Sequence, residues 1–498
     1  MKFGEIVDNF VVNYLSIITR LFKGETSPPE EVGLPSATEG ARVETPTTQT
    51  CLKTRTDEVP AHPEILDKDD RTSAVVKRII SAIQEKKPVT LIHGRAGTGK
   101  TTLIRRIIDE AKLNYVILAP TGVAALNAGG QTIHSFFRLP PRMINLDDIE
   151  VNNQLKTIVR RLEFLVIDEI SMVRADVLDA IDHSLRMHRA SDEAFGGIPM
   201  ILVGDFLQLP PIVETADAEI LRHRGYELNF AFAAKCMQDL NPSIVELTTV
   251  YRQREASFIE LLGKLRVGED VHEVVAALNQ LCHRPHRQSA TPVTLTARIN
   301  SAEQHNFRGL ASLPGTVTTY TGTLVGEFAR KSKERLPAPE FLDLKVGARV
   351  MLAKNDSSKR WVNGSLGTIT QLAPDYVSVR LDEDAMEYDV TRETWESVKY
   401  EWDHSGRRIV ANVVGKYSQM PLVPAWAITV HKAQGLTLSD VRIDLSGGAF
   451  SEGQTYVALS RAKSIEGLSF VKSLSVGDVR VDPSLVAGVR HFSAKSLA

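Results

Sequence analysis

The sequence predicts an α/β protein with parallel sheets, interrupted late in the chain by a small β-barrel. Three observations predict it. From about residue 64, short apolar runs alternate with stretches of helical periodicity, the pattern of strands joined by crossover helices. One run ends in a complete phosphate-loop motif, which requires a strand before it and a helix after it. Between about 315 and 424 the pattern changes to short strands separated by turns, as in a small barrel.

Taken in order, residues 1–23 carry Phe3, Ile6, Val7, Phe10, Val11, Tyr14, Leu15, Ile18, Leu21 and Phe22 on one face of a helix. Such a face suits either packing on the body of the protein or docking to a protein partner; a membrane-surface helix fits less well, since the polar face is not rich in Lys or Arg. Residues 24–63 are rich in Thr, Pro, Glu and Ser and read as a disordered linker. A first α/β block spans 64–240, with strands at Val89–His93, Tyr115–Ala119, Phe164–Ile167 and Met200–Val203. A second block covers 241–314 and 425–475, beginning near Ser243 and resuming at Ala425-Trp426-Ala427-Ile428-Thr429-Val430. The barrel at 315–424 splits it, with strands at Ala348–Leu352, Gly367–Gln371, Tyr376–Leu381, Met386–Thr391 and Arg408–Val413. Residues 476–498 form a C-terminal tail.

The bulk numbers narrow the class. In 498 residues, 43% are hydrophobic and 24% charged, which suits a globular chain with ample core. The net charge of −2 provides no bulk attraction to nucleic acid, so any basic track must be local. Cys51, Cys236 and Cys282 form no C-x-x-C pair and point to a reduced, intracellular compartment. Cys282-His283 with His286 has only one thiol and no second cluster, too little for a zinc site. No secretion signal and no run long enough to span a membrane are visible, so no membrane partner is expected.

The chemistry begins at Gly94-Arg95-Ala96-Gly97-Thr98-Gly99-Lys100-Thr101, followed by Thr102 and a helix. Glycines here let backbone N–H groups turn toward phosphate oxygens, and the helix N-terminus adds its positive dipole end. Lys100 would reach the β- and γ-phosphates of ATP, and the Thr101 hydroxyl would hold Mg²⁺. The strand Phe164-Leu165-Val166-Ile167 delivers Asp168 and Glu169 at its C-terminal end. Asp168 would hold the Mg²⁺, and Glu169 would polarise the attacking water. Gln208, in Gly204-Asp205-Phe206-Leu207-Gln208-Leu209-Pro210-Pro211, could report the γ-phosphate to whatever lies beyond. Arg252 and Arg461 belong to the second block and read as transition-state cations, worth roughly 10³–10⁵ in rate. Three further segments are candidates for nucleic-acid contact. They are Ala119-Pro120-Thr121-Gly122, Thr132-Ile133-His134-Ser135-Phe136-Phe137 and Thr429-Val430-His431-Lys432-Ala433-Gln434-Gly435. Aromatics in such loops can stack on bases at about 1–3 kcal/mol each, and one of Phe136 and Phe137 is expected in the core.

This ordered set resembles the petite-integration-frequency (Pif) family of superfamily-one DNA helicases over about 64–475. Asp168-Glu169-Ile170-Ser171-Met172, the Gly204–Pro211 string and His431-Lys432-Ala433-Gln434-Gly435-Leu436-Thr437-Leu438 separate it from RecD-like relatives. The resemblance implies two RecA-like lobes with ATP and Mg²⁺ between them, and a monomer moving 5′ to 3′ on single-stranded DNA toward duplex junctions. It implies a small wedge at about 138–161 in the first lobe and makes the barrel an insertion in the second. It gives Pro120, Thr121, His134, Phe136 and His431 to DNA, Gln208 and Gln434 to coupling, and Gln434 and Gly435 to the nucleotide edge. Arg252 and Arg461 become paired arginine fingers across the cleft. One position departs from the family pattern. Where a glutamine usually reads adenine, this chain has Asp70, which lacks the amide donor.

Overall fold

The structure is a computed structural model, and it describes residues 68–140, 143–282, 292–330, 336–358, 360–382, 384–403 and 405–496. The expected docking helix at 1–23, the linker and the side chain of Asp70 lie outside the described residues.

After a helix at Lys68–Gln84, six strands build the first lobe. They are β1 (Val89–Gly94), β2 (Tyr115–Ala119), β3 (Gln131–Thr132), β4 (Phe164–Ile167), β5 (Met200–Gly204) and β6 (Ser243–Leu247), in the order β3-β2-β4-β5-β1-β6. Every pairing is parallel. The central strands are buried along their whole length and mostly apolar, because helices cover both faces and no solvent-facing side of a strand is needed. One apolar cluster, around Ile79, Leu103, Ile107 and Phe164, fills one face, and a larger one around Leu118, Phe136, Leu178 and Leu202 fills the other.

The boundary between blocks differs from the sequence expectation. Ser243–Leu247 does not open the second block. It is the edge strand of the first sheet, running from Thr90 opposite Ser243 to Gly94 opposite Leu247. The crossing to the second lobe therefore falls after Leu247 and before the helix Ala256–Val267.

The second lobe starts with helices Ala256–Val267 and Val271–Cys282, then β7 (Val293–Thr296) and helix Ile299–Ser312. The insertion follows and, among the described residues, holds ten strands. These are β8 (Thr318–Thr321), β9 (Thr323–Gly326), β10 (Phe341–Leu344), β11 (Arg349–Leu352), β12 (Leu366–Leu372), β13 (Tyr376–Leu381), β14 (Glu387–Thr391), β15 (Glu393–Asp403), β16 (Arg408–Gln419) and β17 (Leu422–Pro424). A five-stranded sheet, β14-β13-β12-β11-β17, shares a core with the β8–β10 ladder through Tyr320, Leu342, Val350 and Val379. β15 and β16 form a long two-stranded arm with β9 at its base.

The arm reaches the first lobe. There β3 spans only two residues, which leaves the outer edge of β2 open, and the Tyr400 hydroxyl accepts a hydrogen bond from Ile117 N–H at 3.3 Å. Asn114 accepts from Ile409 N–H at 3.2 Å, and the Arg161 guanidinium lies 3.9 Å from the Trp402 ring centroid. Gln154 donates to Glu401 at 2.9 Å. The arm thus caps an exposed sheet edge, a surface that otherwise invites strand addition.

The parallel pattern resumes with β18 (Ala427–Thr429), β19 (Val441–Asp444) and β20 (Leu468–Phe470), giving the sheet β18-β7-β19-β20. The expected C-terminal tail is a helix, Pro483–Ser496, whose Leu485, Val486 and Val489 pack into the first lobe's core. Among the described residues no helix is long and apolar enough to cross a membrane.

Candidate nucleotide and nucleic-acid site

The phosphate loop leaves β1 and enters the helix Lys100–Ala111. Gly97 and Gly99 take φ of +77° and +82°, a left-handed conformation that side chains disfavour. A Cβ at Gly94 would stand 2.7 Å from the Leu247 carbonyl oxygen, so β6 also demands glycine there. Lys100 Nζ donates to the carbonyls of Gly94 at 2.8 Å and Arg95 at 3.0 Å. Burial holds its ammonium below the ordinary lysine range, against the pull of Asp205, Glu169 and Asp168.

Asp168 and Glu169 follow β4, beside the loop. Asp168 is buried and accepts the Glu169 N–H at 2.9 Å, and burial raises its pKa. Burial, and then the neighbouring Asp168 charge, push Glu169 up to about 7. Glu169 sits at φ +54°, a conformation that costs a non-glycine residue and here aims its carboxylate across the cleft. Gln434 meets it from the second lobe, its amide donating to Glu169 Oε2 at 3.2 Å. Gly435 follows at φ +83° and turns its carbonyl to the Arg252 guanidinium at 3.3 Å.

One of the two arginines occupies a different position from the one expected. Arg252 does not stand across the cleft on the second lobe. Tyr251 N–H donates to Gly97 O at 2.8 Å, and a Cβ on Gly97 would lie 2.6 Å from the Arg252 Cβ. Its backbone therefore rests on the phosphate loop, a consequence of β6 joining the first sheet. Only its guanidinium crosses over, donating to Thr437 Oγ1 at 2.9 Å and to Ser460 O at 3.1 Å. Arg461 is the arginine of the second lobe. It is 1% exposed, donates to Val457 O at 2.9 Å, and burial followed by the Arg252 charge pushes it down to about 9.

Sequence reasoning missed a buried ion pair between the lobes. Gln208 donates to Asp205 Oδ2 at 3.1 Å, and Asp205 receives Arg266 Nη2 at 2.6 Å and Nε at 3.2 Å. Arg266 comes from the second-lobe helix Ala256–Val267, and both partners are buried. Burial works against the Asp205 charge, but Arg266 and Lys100 hold its pKa below the carboxylate range. Tyr456 adds a second link by accepting the Ala96 N–H at 3.0 Å. Gly453 adds a third, since a Cβ there would stand 2.5 Å from the Gln208 carbonyl oxygen.

The proposed strand contacts lie at strand ends on both lobes. Pro120 and Thr121 follow β2, with Thr121 capping the helix Gly122–Ala128 through Ala124 N–H at 3.2 Å. His134 is partly exposed, and His431 follows β18. Phe136 does not serve as an exposed stacking ring. Both Phe136 and Phe137 are buried, edge to face at 4.9 Å, and Tyr400 of the arm closes over Phe136 at 6.1 Å. In the region expected to form a wedge, Leu139, Ile144, Leu155 and Ile158 are buried in the first-lobe core.

Fold and site together define a two-lobed α/β protein with a phosphate loop and a pair of acidic residues at the cleft between the lobes. Comparison with known proteins narrows the class. Residues 66–273 match the family model of the PIF1-like helicase, and 327–372 match that of the DNA helicase Pif1 2B domain. The chain is 32% identical to the ATP-dependent DNA helicase Pif1 of Bdellovibrio bacteriovorus, over 80% of this chain and 88% of that protein. It is 34% identical to the human ATP-dependent DNA helicase PIF1, over 80% of this chain but 60% of that protein. The chain therefore spans about three fifths of the vertebrate relatives it matches, with 59% for the Danio rerio protein. The crystal structure of Bacteroides Pif1 in complex with ADP-AlF4 superposes with a TM-score of 0.77 at 34% identity, covering 84% of this chain and 96% of that one. Bacteroides Pif1 bound to ssDNA gives 0.61 at 34% identity, with the same coverage. The chain belongs to the PIF1-like helicase family.

Proposed function

We propose that this protein is an ATP-dependent DNA helicase that translocates 5′ to 3′ along single-stranded DNA and opens duplex or other DNA structures ahead of it. The observation that carries the reading is the clasp across the cleft. Glu169, Gln208 and the phosphate loop each touch the second lobe, through Gln434, Gly453 and Tyr456. A change at the γ-phosphate position is thereby a change in the lobe interface, and strand-contact candidates sit on both sides of it.

The residues present fit ATP and Mg²⁺. The glycine cradle, Lys100 and the helix N-terminus match a polyphosphate. Asp168 is a buried carboxylate whose charge burial disfavours, and a cation relieves that cost. Mg²⁺ commonly takes one or two protein ligands with substrate phosphates, and Thr101 with Asp168 supplies that number. Bound ATP supplies the phosphoryl group and Mg²⁺ neutralises its charge. Glu169 accepts a proton from the attacking water, and Gln434 holds its carboxylate in line. Arg461 and the Arg252 guanidinium face the charge from the second-lobe side. Released contacts let the lobes part, and alternating grip by the Thr121 and His431 sides moves the strand. The chain works as a monomer in this account, since one copy carries both halves of the site.

The test is ATP-dependent unwinding of partial duplexes with either a 5′ or a 3′ single-stranded tail, with ATPase followed in parallel. The expected result is unwinding of the 5′-tailed substrate only, with DNA-stimulated hydrolysis that Lys100→Ala abolishes. Stimulated hydrolysis without strand separation identifies instead a remodeller or DNA-bound switch.

A further inference from the structure

Three neighbouring strands of the second lobe, β18, β7 and β19, end at one edge of the sheet. Each sends one side chain to the same spot. His431 follows β18, Arg298 follows β7, and Phe450 follows β19. The Phe450 ring is 48% exposed, although it is a large apolar group. His431 lies nearly parallel to it, with ring centroids 6.2 Å apart and 15° between planes. The Arg298 guanidinium carbon is 5.7 Å from the Phe450 centroid, and the Arg298 chain also approaches Gly447. The C-terminal edge of a parallel sheet is where open α/β folds bind ligands.

Nothing in the catalytic chemistry uses Phe450. It stands just before Gly453, where the chain turns into the helix that touches Gln208, so its backbone is fixed by the lobe interface. An exposed phenyl held flat against an imidazole, with a guanidinium beside it, offers a π-face and a cation together. A nucleobase with its phosphate presents the complementary pair. Burial lowers the His431 pKa, so near neutral pH this ring is an uncharged stacking partner.

We infer that Phe450, backed by His431 and flanked by Arg298, is a base-stacking platform that grips one nucleobase of the single strand on the second lobe. The inference rests on the strand-translocation reading above and adds a residue that the sequence motifs did not single out. It also replaces the contact that Phe136 cannot make from its buried position. The platform is indifferent to base identity, because every base has a π-face.

The experiment measures binding of the full chain to a fluorescent oligothymidylate and to an abasic strand of the same length, across a salt series. For oligothymidylate, Phe450→Ala should weaken binding roughly 5- to 100-fold. The slope of log K against log salt should stay unchanged, because no phosphate contact is lost. Phe450→Trp should retain wild-type affinity. On the abasic strand, Phe450→Ala and wild type should bind alike. Wild-type affinity of Phe450→Ala for oligothymidylate overturns the platform alone, and so does an equal loss on both strands, which would mean a backbone contact. Failure of the wild-type protein to bind either strand overturns the platform and the translocation reading together.

Discussion

Glu169 illustrates how much a single side chain does here. Its left-handed backbone, its burial beside Asp168 and its contact with Gln434 converge on one carboxylate whose pKa is about 7. The sign of the pH dependence follows directly. The carboxylate accepts a proton only when ionised, so the free enzyme gains activity as pH rises through about 7 and loses it as pH falls below. We expect kcat/KM for ATP hydrolysis to drop on the acid side of that value, since this ratio reports free-enzyme ionisations. A profile flat down to about pH 5 would remove Glu169 from the base role. At this scale the sequence was readable for position wherever residues sit in contiguous motifs: Lys100 opens a helix after β1, Asp168 follows β4 and Arg461 lies on the second lobe. Arg266 was not readable. It lies 61 residues from Asp205, and an arginine in the last turn of a helix looks like any solvated charge until the lobes meet.

Among the elements, the helix Ala256–Val267 matters beyond its own lobe, because it holds Arg266 on Asp205. Removing one member of a buried ion pair leaves the other charge stranded and costs about 3–5 kcal/mol. Arg266→Met alone should therefore lower the melting temperature sharply. Asp205→Leu combined with Arg266→Met should recover much of that stability while ATP turnover stays low, since Gln208 loses its acceptor. Recovery of turnover along with stability would make the pair a structural prop only. Thermal melts and steady-state ATPase assays on the single and double variants separate these outcomes. Elements rich in apolar residues were legible, with β2, β4 and β13 matching their expected spans residue for residue. The arm strand β15 was not. Glu393-Thr394-Trp395-Glu396-Ser397-Val398-Lys399 carries charges on both faces, and it is a strand because it pairs along its length with β16. Ser243 was read as the start of the second block, whereas β6 is the edge strand of the first sheet, since position beside β1 is decided by a chain crossing and not by local pattern.

For the whole molecule, the chain's path decides how the lobes are held. It leaves the first lobe after Leu247 and returns to it as the helix Pro483–Ser496. Leu485, Val486 and Val489 are each less than 9% exposed in the first-lobe core. At about 1.5–3 kcal/mol for each buried aliphatic side chain, the helix contributes roughly 4–9 kcal/mol, comparable with the net stability of a domain. Truncation after Asp482 should lower the melting temperature markedly. An unchanged melt would show that the helix only rests on the surface.

Two separate covalent crossings join the lobes, one at residues 248–255 against the phosphate loop, the other at 471–482, where Arg480 O receives Gly453 N–H. A door hung on one pin swivels, whereas a door hung on two swings about a single line. With two attachments, the lobes lose the freedom to twist about each other and keep one angular coordinate. On the proposed mechanism, each cycle of closure would then repeat the same arc. Directionality would become in part a property of how the chain is threaded, and cutting the 471–482 crossing should leave ATP hydrolysis in place while successive strokes no longer share an axis.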